Sequence, residues 1–470
     1  MALPSQADLD AAIAVTRFGL GARPGEIKAA KADPRAFLKA QIRPAGADQP
    51  TGRLVSSSEN IAVFNGLRRE RQAMRADGDA AEQLKQLQVQ IRDIAIQEMA
   101  ARGRLAAATP AGFRERWTLF WANHFTVSAT KGAVAPIVGS FEREAIRPYV
   151  FGRFEDMLTA SSRHPAMLLY LDQAASIGPG SPAGQRRKSG LNENLAREIM
   201  ELHTVGVDGG YAQTDVTEFA RALTGWSVSR GREGAAAGQA AASDPGEQGS
   251  FMFRPFTHEP GQRRVLGRTY ANDGEGQARA ILHDLAYHPA TARHVARKVA
   301  IHFLADDPSP ALVSRLEASF KSSGGRLDKL AETLIDSPEA WTPAAAKFKS
   351  PYEFIVSAWR AAGSAPELDQ PQRFVGSMGA LGQRPFSPPS PKGWPDSAVE
   401  WAAPDEIIKR MAWAEQAANT MAQTQADPNE AARQALGARL SPEAATAIAR
   451  AETRREAFAV LLMSPEFQRR

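Results

Sequence analysis

The chain has 470 residues, 43% hydrophobic and 23% charged, an ordinary globular composition with enough apolar material for a large core and one to three domains. A net charge of +5 over this length is a mild bias toward anionic partners and no nucleic-acid footprint, since clusters such as Arg186-Arg187-Lys188 and Arg263-Arg264 are short. The chain has no cysteine, which excludes disulfides, thiolate metal sites and cysteine nucleophiles.

The predicted elements are helical almost throughout. Ala7–Phe18 reads as a first helix ended by Gly19-Leu20-Gly21, and 22–41 as a helical pair broken at Asp33-Pro34. Glu59–Arg104 reads as two long amphipathic helices interrupted near Asp77-Gly78-Asp79. Pro110–Phe125 places Trp117, Phe120, Trp121, His124 and Phe125 at helical spacing, a buried aromatic helix in which His124 is a satisfied core residue. Helices follow at Glu142–Tyr149 and 154–170, then a flexible Gly/Pro/Ser loop over 177–190. Ser229–Gly249 reads as a flexible Gly/Ala/Ser insertion, and Ser250–Tyr270 as a small β-hairpin around the Pro260-Gly261 turn. The remainder alternates helices with the proline-rich loop Arg384–Asp396. Strand–helix alternation is missing, so the fold class is mainly α: one large multi-helix domain, about 7–468, with a small hairpin insertion.

The most concentrated chemistry lies in Leu191–Trp226. Asn192 or Asn194 caps a predicted helix to Thr204, stopped by Gly206. At 100° per residue Asn194, Glu198 and Glu201 share one face, Arg197 pairs with Glu201, and His203 sits at the edge of the apolar stripe. Two acids a turn apart serve as a proton-sharing pair, or with a histidine as cation ligands; equally they are structural ion-pair partners. The spacing is neither Glu-x-x-His nor His-Glu-x-x-His, and the metal and cofactor stay unassigned. Val207–Tyr211 is a tight turn without the acid spacing of a calcium loop. Thr214–Trp226 reads as the next helix, with Thr214 as its cap and Arg221 and Trp226 as candidate binding residues.

Further candidates lie downstream. His258 sits with Glu259 on the proposed hairpin turn. His294, Lys298 and His302 share a helix face, where three cations repel unless acids such as Glu198, Glu201 or Asp306-Asp307 oppose them. Trp394 ends the rigid proline loop and is placed to wall a pocket or plug one. No nucleophile elbow, P-loop or dinucleotide fingerprint is present.

Several segments together resemble the bacterial family called domain of unknown function 1800. They are RFGLGARPGE, RERWTLFWANHFTVS, HPAMLLYLDQAAS, NENLAREIMELHTVGVDGGYAQTDVTEFARALTGW, FRPFTHEPGQRRVLG, HPATARHVARKVAIHFLADDP, SPYEFIVSAWRAAG, PFSPPSPKGWPD and SPEFQ, spread over nearly the whole chain. The resemblance implies no activity and carries over no catalytic residues. It implies that relatives are often exported, and that a sulfatase-like protein encoded nearby is a partner. This chain's opening lacks the basic n-region of a signal peptide, so cytoplasmic is the default expectation and export the alternative. No stretch is apolar enough to span a bilayer.

Two functions fit. The first is a binding, scaffold or accessory protein whose polar residues are buried ion pairs. The alternative is a hydrolase or lyase of an anionic substrate, with Glu198, Glu201 and His258 or His203 as acid and base and Lys298 or Arg221 stabilising negative charge. The absence of a recognised catalytic spacing leans toward the first.

Overall fold

Proline sets where many of the helices begin. The computed structural model describes residues 5–74, 80–187, 190–231 and 247–470. Within them the pairs Asp33-Pro34, His164-Pro165, His288-Pro289, Ser309-Pro310, Ser350-Pro351, Asp427-Pro428, Ser441-Pro442 and Ser464-Pro465 each start a helix. The residue before proline stays extended and its side chain accepts from a first-turn N–H, while proline supplies a helical φ and lacks only an N–H that would be unbonded anyway. His164 and His288 act this way through Nδ1, accepting from Ala166 N at 3.1 Å and Ala290 N at 3.2 Å. The same signal splits segments whose periodicity runs on: 154–170 becomes Phe154–Arg163 and Pro165–Tyr170. Pro442–Met463 divides without a proline, into Pro442–Arg450 and Arg454–Met463, with Thr453 capping the second helix.

Twenty-four α-helices and two small antiparallel strand pairs make up the described residues, so the protein is mainly α. The pairing differs from one hairpin around Pro260-Gly261. Strand β1 (Trp226–Val228) pairs across the Gly/Ala/Ser tract with β2 (Phe251–Phe253), and β3 (Arg263–Val265) pairs with β4 (Arg268–Tyr270). The reversal lies at Leu266-Gly267, both at positive φ, as a two-residue hairpin turn requires. Leucine is an unusual choice there, which hides the turn from a reading by residue type; Leu266 N donates to Asp215 Oδ1 at 2.8 Å and anchors it. Asp215 Oδ2 also accepts from Ala212 N at 2.8 Å, so the next helix runs Gln213–Leu223 with Ala212, not Thr214, at its cap. Gly225, at φ +89°, turns the chain out of that helix, and Trp226 opens β1 instead of closing the helix.

Segment 177–190 contains a short helix, Pro182–Arg187. Most of the insertion at 229–249, and the interruption at 77–79, lie outside the described residues. No helix among the described residues is long and apolar enough to cross a membrane.

Buried apolar side chains form two clusters. The larger joins the N-terminal helix, the aromatic helix Gly112–His124 and the central helices through Trp341. The smaller joins the C-terminal helices to Leu20 and to Met99, Ala100 and Ala106 of the long helix Ala80–Ala108. Phe386 of the proline-rich loop packs against both.

Candidate functional site

The site is built on two helices of the larger core. The aromatic helix Gly112–His124 is nearly all buried, and aromatic contacts fix it: Trp117 donates to Val150 O at 2.7 Å, and Phe113, Trp117 and Phe120 surround Phe303 and His302. The helix Pro289–Phe303 buries Ala292, Val295, Ala296 and Val299 on one stripe, and on the flank beside it carries His294, Lys298 and His302.

The acid opposite His302 is Asp396, the last residue of the proline-rich loop. His302 Nδ1 lies 2.8 Å from Asp396 Oδ2. The Asp396 carboxyl is pushed up by burial, but His302, Lys347 and Arg470 outweigh that and hold it below its ordinary value. Burial lowers His302, and the guanidiniums of Arg470 and Arg116 lower it further, against the pull of Asp396. At neutral pH the carboxylate is therefore ionised and the ring neutral. Nδ1–H donates to Asp396, and Nε2, which has no hydrogen-bond partner, carries the lone pair. His302 and Asp396 line a cleft of about 120 Å³ between the two cores, walled by Tyr352, Phe386, Trp394 and Trp401. A wider groove of about 930 Å³ runs past Glu155, Arg163 and Arg279, but its polar groups pair with one another or with neighbours: Arg163 with Glu275, His164 with Glu144, Glu155 with His283.

Several groups hold the dyad in place. Asn123 clamps the loop, its Nδ2 donating to Trp394 O at 2.9 Å and its Oδ1 accepting from Trp394 N at 2.8 Å. Gly393 allows this approach, because a Cβ there would sit 2.6 Å from Asn123 O. Lys347 bonds Asp306 Oδ1 at 2.5 Å and also donates to the carbonyl of Asp396. Arg470 donates to His302 O at 2.5 Å and to Glu353 Oε2 at 3.2 Å, and Glu353 is also bonded by Arg116.

At the other end of the same flank the surroundings are imidazoles. The chain over 194–203 is an α-helix only through Glu198 and becomes a π-turn at Ile199–His203. That turn frees backbone carbonyls, and two histidines take them up: His294 Nε2 lies 3.0 Å from Leu202 O, and His124 Nε2 lies 3.0 Å from His203 O. It also carries His203 inward, against Phe125 at 5.1 Å and His124 at 6.1 Å between ring centroids. His203 is 1% exposed, and among the described residues neither of its ring nitrogens has a hydrogen-bond partner. Burial, then Lys298, lowers His203 to about 3 and His294 to about 4, and lowers His124 as well.

These shifts set a pH dependence. A histidine neutral in the fold but titrating near 6.5 when unfolded contributes stability that is complete above about pH 6.5 and is lost as pH falls toward its folded value. We expect urea unfolding to show that loss between about pH 6.5 and 4, with a slope approaching about 1.4 kcal/mol per pH unit for each such ring. His203→Gln should flatten the slope by one proton's worth. Equal slopes in wild type and variant would exclude His203 as a source.

The other sequence candidates fall into separate places. Glu198 is half-buried, with its carboxyl raised by burial and by Glu201, while Arg197 opposes. Glu201 pairs with Arg197 at 3.4 Å and hydrogen-bonds Tyr211. Asn194 is exposed, its N–H bonded to Asn192 Oδ1 at 2.8 Å. His258 is buried, with Nδ1 2.8 Å from Thr224 O; burial lowers it, and its charged neighbours are Arg263 and Glu259. Arg221 pairs with Glu218, which also meets Arg263 at 3.3 Å. Trp226 is wholly buried, edge-on to Phe251. Trp394 is among the residues that line the cleft. Among the described residues no hydrogen bond or ion pair joins Glu198 or Glu201 to His258 or Lys298, and no three His, Asp or Glu side chains are grouped to hold a metal ion. Asp396, Asn123, Glu353 and Arg470 went unnoticed as site residues. The one signal for Asp396 was a rigid Trp-Pro-Asp ending in a segment otherwise read as a loop.

The sequence model of the family described as "Protein of unknown function (DUF1800)" matches residues 13–469. The chain belongs to that family. The match spans both cores, the π-turn, the histidine-bearing helix and the loop that supplies Asp396. No curated protein and no solved structure matches the chain.

Proposed function

We propose that this chain is an acid–base enzyme, a hydrolase or lyase of an anionic substrate, with its reacting centre in the cleft between the two cores. One observation carries the reading: His302 lines the cleft, is oriented through Nδ1 by Asp396 and has no hydrogen-bond partner at Nε2 among the described residues. A carboxylate–imidazole pair of this kind takes a proton from a water or substrate hydroxyl at Nε2 and returns it to a leaving group, while the carboxylate stabilises the imidazolium that forms. Because His302 lies below the ordinary imidazole value, the base form predominates at neutral pH, and activity should fall only in acid.

The test is a panel of anionic esters, phosphoesters and uronate polymers assayed with wild type, His302→Gln and Asp396→Asn. A true substrate should lose about 10²- to 10⁴-fold in kcat/KM in His302→Gln, with folding intact. Turnover that survives that substitution, or a panel without turnover in the wild type, would reject the reading.

A second reading is favoured by the paired state of the other buried charges, Glu115 and Glu142 with Arg147, and Glu353 with Arg116 and Arg470. It makes the chain a scaffold or accessory, acting outside the cytoplasm on the nearby-encoded sulfatase-like protein. Its test is co-purification of the two from a common extract, retained in His302→Gln.

A further inference from the structure

Among the described residues no group accepts a hydrogen bond from the Lys298 ammonium or forms an ion pair with it. The acid that acts on it, Asp396, is already bonded to His302 and lies among Lys347 and Arg470. Lys298 is faced by three neutral imidazoles: His294 from its own helix, His124 from the aromatic helix and His203 from the π-turn. Lys392 of the proline-rich loop adds a second cation.

Among the described residues two donors at this point lack an acceptor, the Lys298 ammonium and the ring N–H of His203, while the free lone pairs are those of His124 Nδ1 and the other His203 nitrogen. His124 and His294 use their Nε2–H groups on backbone carbonyls. His203 has two unpartnered ring nitrogens, so in either neutral tautomer it holds a buried N–H with nothing to accept it. A buried donor without an acceptor, beside an ammonium without a counter-ion, is costly unless a ligand completes both. A cation does not fit, because the Lys298 and Lys392 ammoniums repel it and among the described residues no three His, Asp or Glu side chains are grouped to hold one. An anion does.

We propose that Lys298 and His203 form a subsite for an oxyanion, the carboxylate or phosphate group of the substrate whose reacting atom lies at His302. This rests on the acid–base reading above for the reacting centre, and not for the anion itself. Lys298 precedes His302 by four residues on one helix face, about 6 Å along the axis, a separation within the span of one small substrate. The Lys298 ammonium and the His203 N–H donate to the oxygens, and Lys392 increases the local positive potential.

The experiment is calorimetric titration of the full chain with sodium phosphate and, separately, sodium acetate at low ionic strength. We expect one site for at least one anion, and the tighter of the two names the preferred group. Lys298→Met keeps the alkyl stem and should bind at least about tenfold more weakly. Lys298→Arg should retain binding. Acetate is fully ionised across the alkaline range, so its affinity in the wild type should drop as pH rises through about 8, where burial places the Lys298 ammonium with Asp396 pulling up and Lys392 pulling down. The imidazoles that face it, His124, His203, His294 and His302, are neutral throughout that range. In Lys298→Arg the drop should vanish, a readout that survives even if the Met variant does not fold. Equal binding in wild type and Lys298→Met, or the same alkaline drop in Lys298→Arg, overturns the subsite. His302→Gln should leave anion binding intact while removing turnover, so failure of the subsite and failure of the acid–base reading are seen separately.

Discussion

Glu353→Ala is expected to destabilise the protein by about 3–5 kcal/mol, because it strands the buried guanidinium of Arg116 and weakens the pairing of Arg470. Glu353 begins the helix Pro351–Ala362, where Ser350 Oγ accepts from its N–H and its own carboxylate accepts from Ser350 N at 2.9 Å. The same carboxylate bonds Arg116 through one oxygen and Arg470 through the other. One substitution therefore removes a helix cap, the counter-charge of Arg116 and the nearer acid of Arg470, which keeps only Asp396 at 3.8 Å among the described residues; both guanidinium side chains are 1% exposed. Burial pushes the Glu353 carboxyl up, but Arg116, Arg470 and the Ser350 N–H outweigh it and hold it far below the carboxylate range. A depressed folded value means stability that is complete above the unfolded value near 4.3 and is lost only as pH falls toward the folded one. The deficit of Glu353→Ala should thus be constant from pH 8 to 6 and shrink only below about pH 4.5. Urea unfolding at these pH values decides it; a loss under about 1 kcal/mol at pH 7 would mean that water or movement replaces the bridge. The dyad should also loosen, since Arg470 holds both Glu353 and the carbonyl of His302.

Arg147→Met carries an expected cost of similar size, about 3–5 kcal/mol, with the charges reversed. Arg147 is wholly buried and grips Glu115 with two parallel bonds of 2.9 and 2.7 Å. It also bonds Glu142 Oε1 through Nε and Nη2, and Asp48 O through Nη1. Burial opposes its charge, but Glu115 and Glu142 outweigh that and raise it above arginine's ordinary value. Methionine fills similar volume and leaves two buried carboxylates, of which, among the described residues, only Glu142 retains an ion pair, with Arg102 at 3.1 Å. Carboxylates left in that state take up protons on folding, so the deficit should shrink as pH falls from 7 to 5. That window lies above the one for Glu353→Ala, and the two variants together separate stranded cations from stranded anions. Arg147→Lys supplies charge without the planar fork and should recover only part of the loss. Full recovery would show that charge alone, and not the two-pronged geometry, holds this junction.

Local grammar was legible wherever a residue acts on its own neighbours. The aromatic spacing of Trp117, Trp121 and Phe125 predicts a buried helix, and the helix is buried. The four-residue spacing of His294, Lys298 and His302 predicts one face, and they share it. Gly206 ends its segment at φ +83°, as read. The π-turn was not legible: an ideal helix leaves His203 at the edge of the stripe, whereas the wider turn buries it. Nothing local marks that turn, since the groups that take up its freed carbonyls come from His124 and His294, 79 and 92 residues away.

The amino-acid sequence alone determined that this protein is helical, that it belongs to its family, and that Leu191–Trp226 and the histidine-bearing helix are where its polar groups concentrate. Periodicity, caps and motif strings are short-range properties, and a single chain carries them in full. Only the tertiary structure decided which acid meets which base. Glu198 and Glu201 were the nearest acids by motif, yet they remain with Arg197 and Tyr211, while His302 takes Asp396 from a proline-rich loop 94 residues on. Burial then fixes the protonation states, and burial depends on the packing of both cores around a residue.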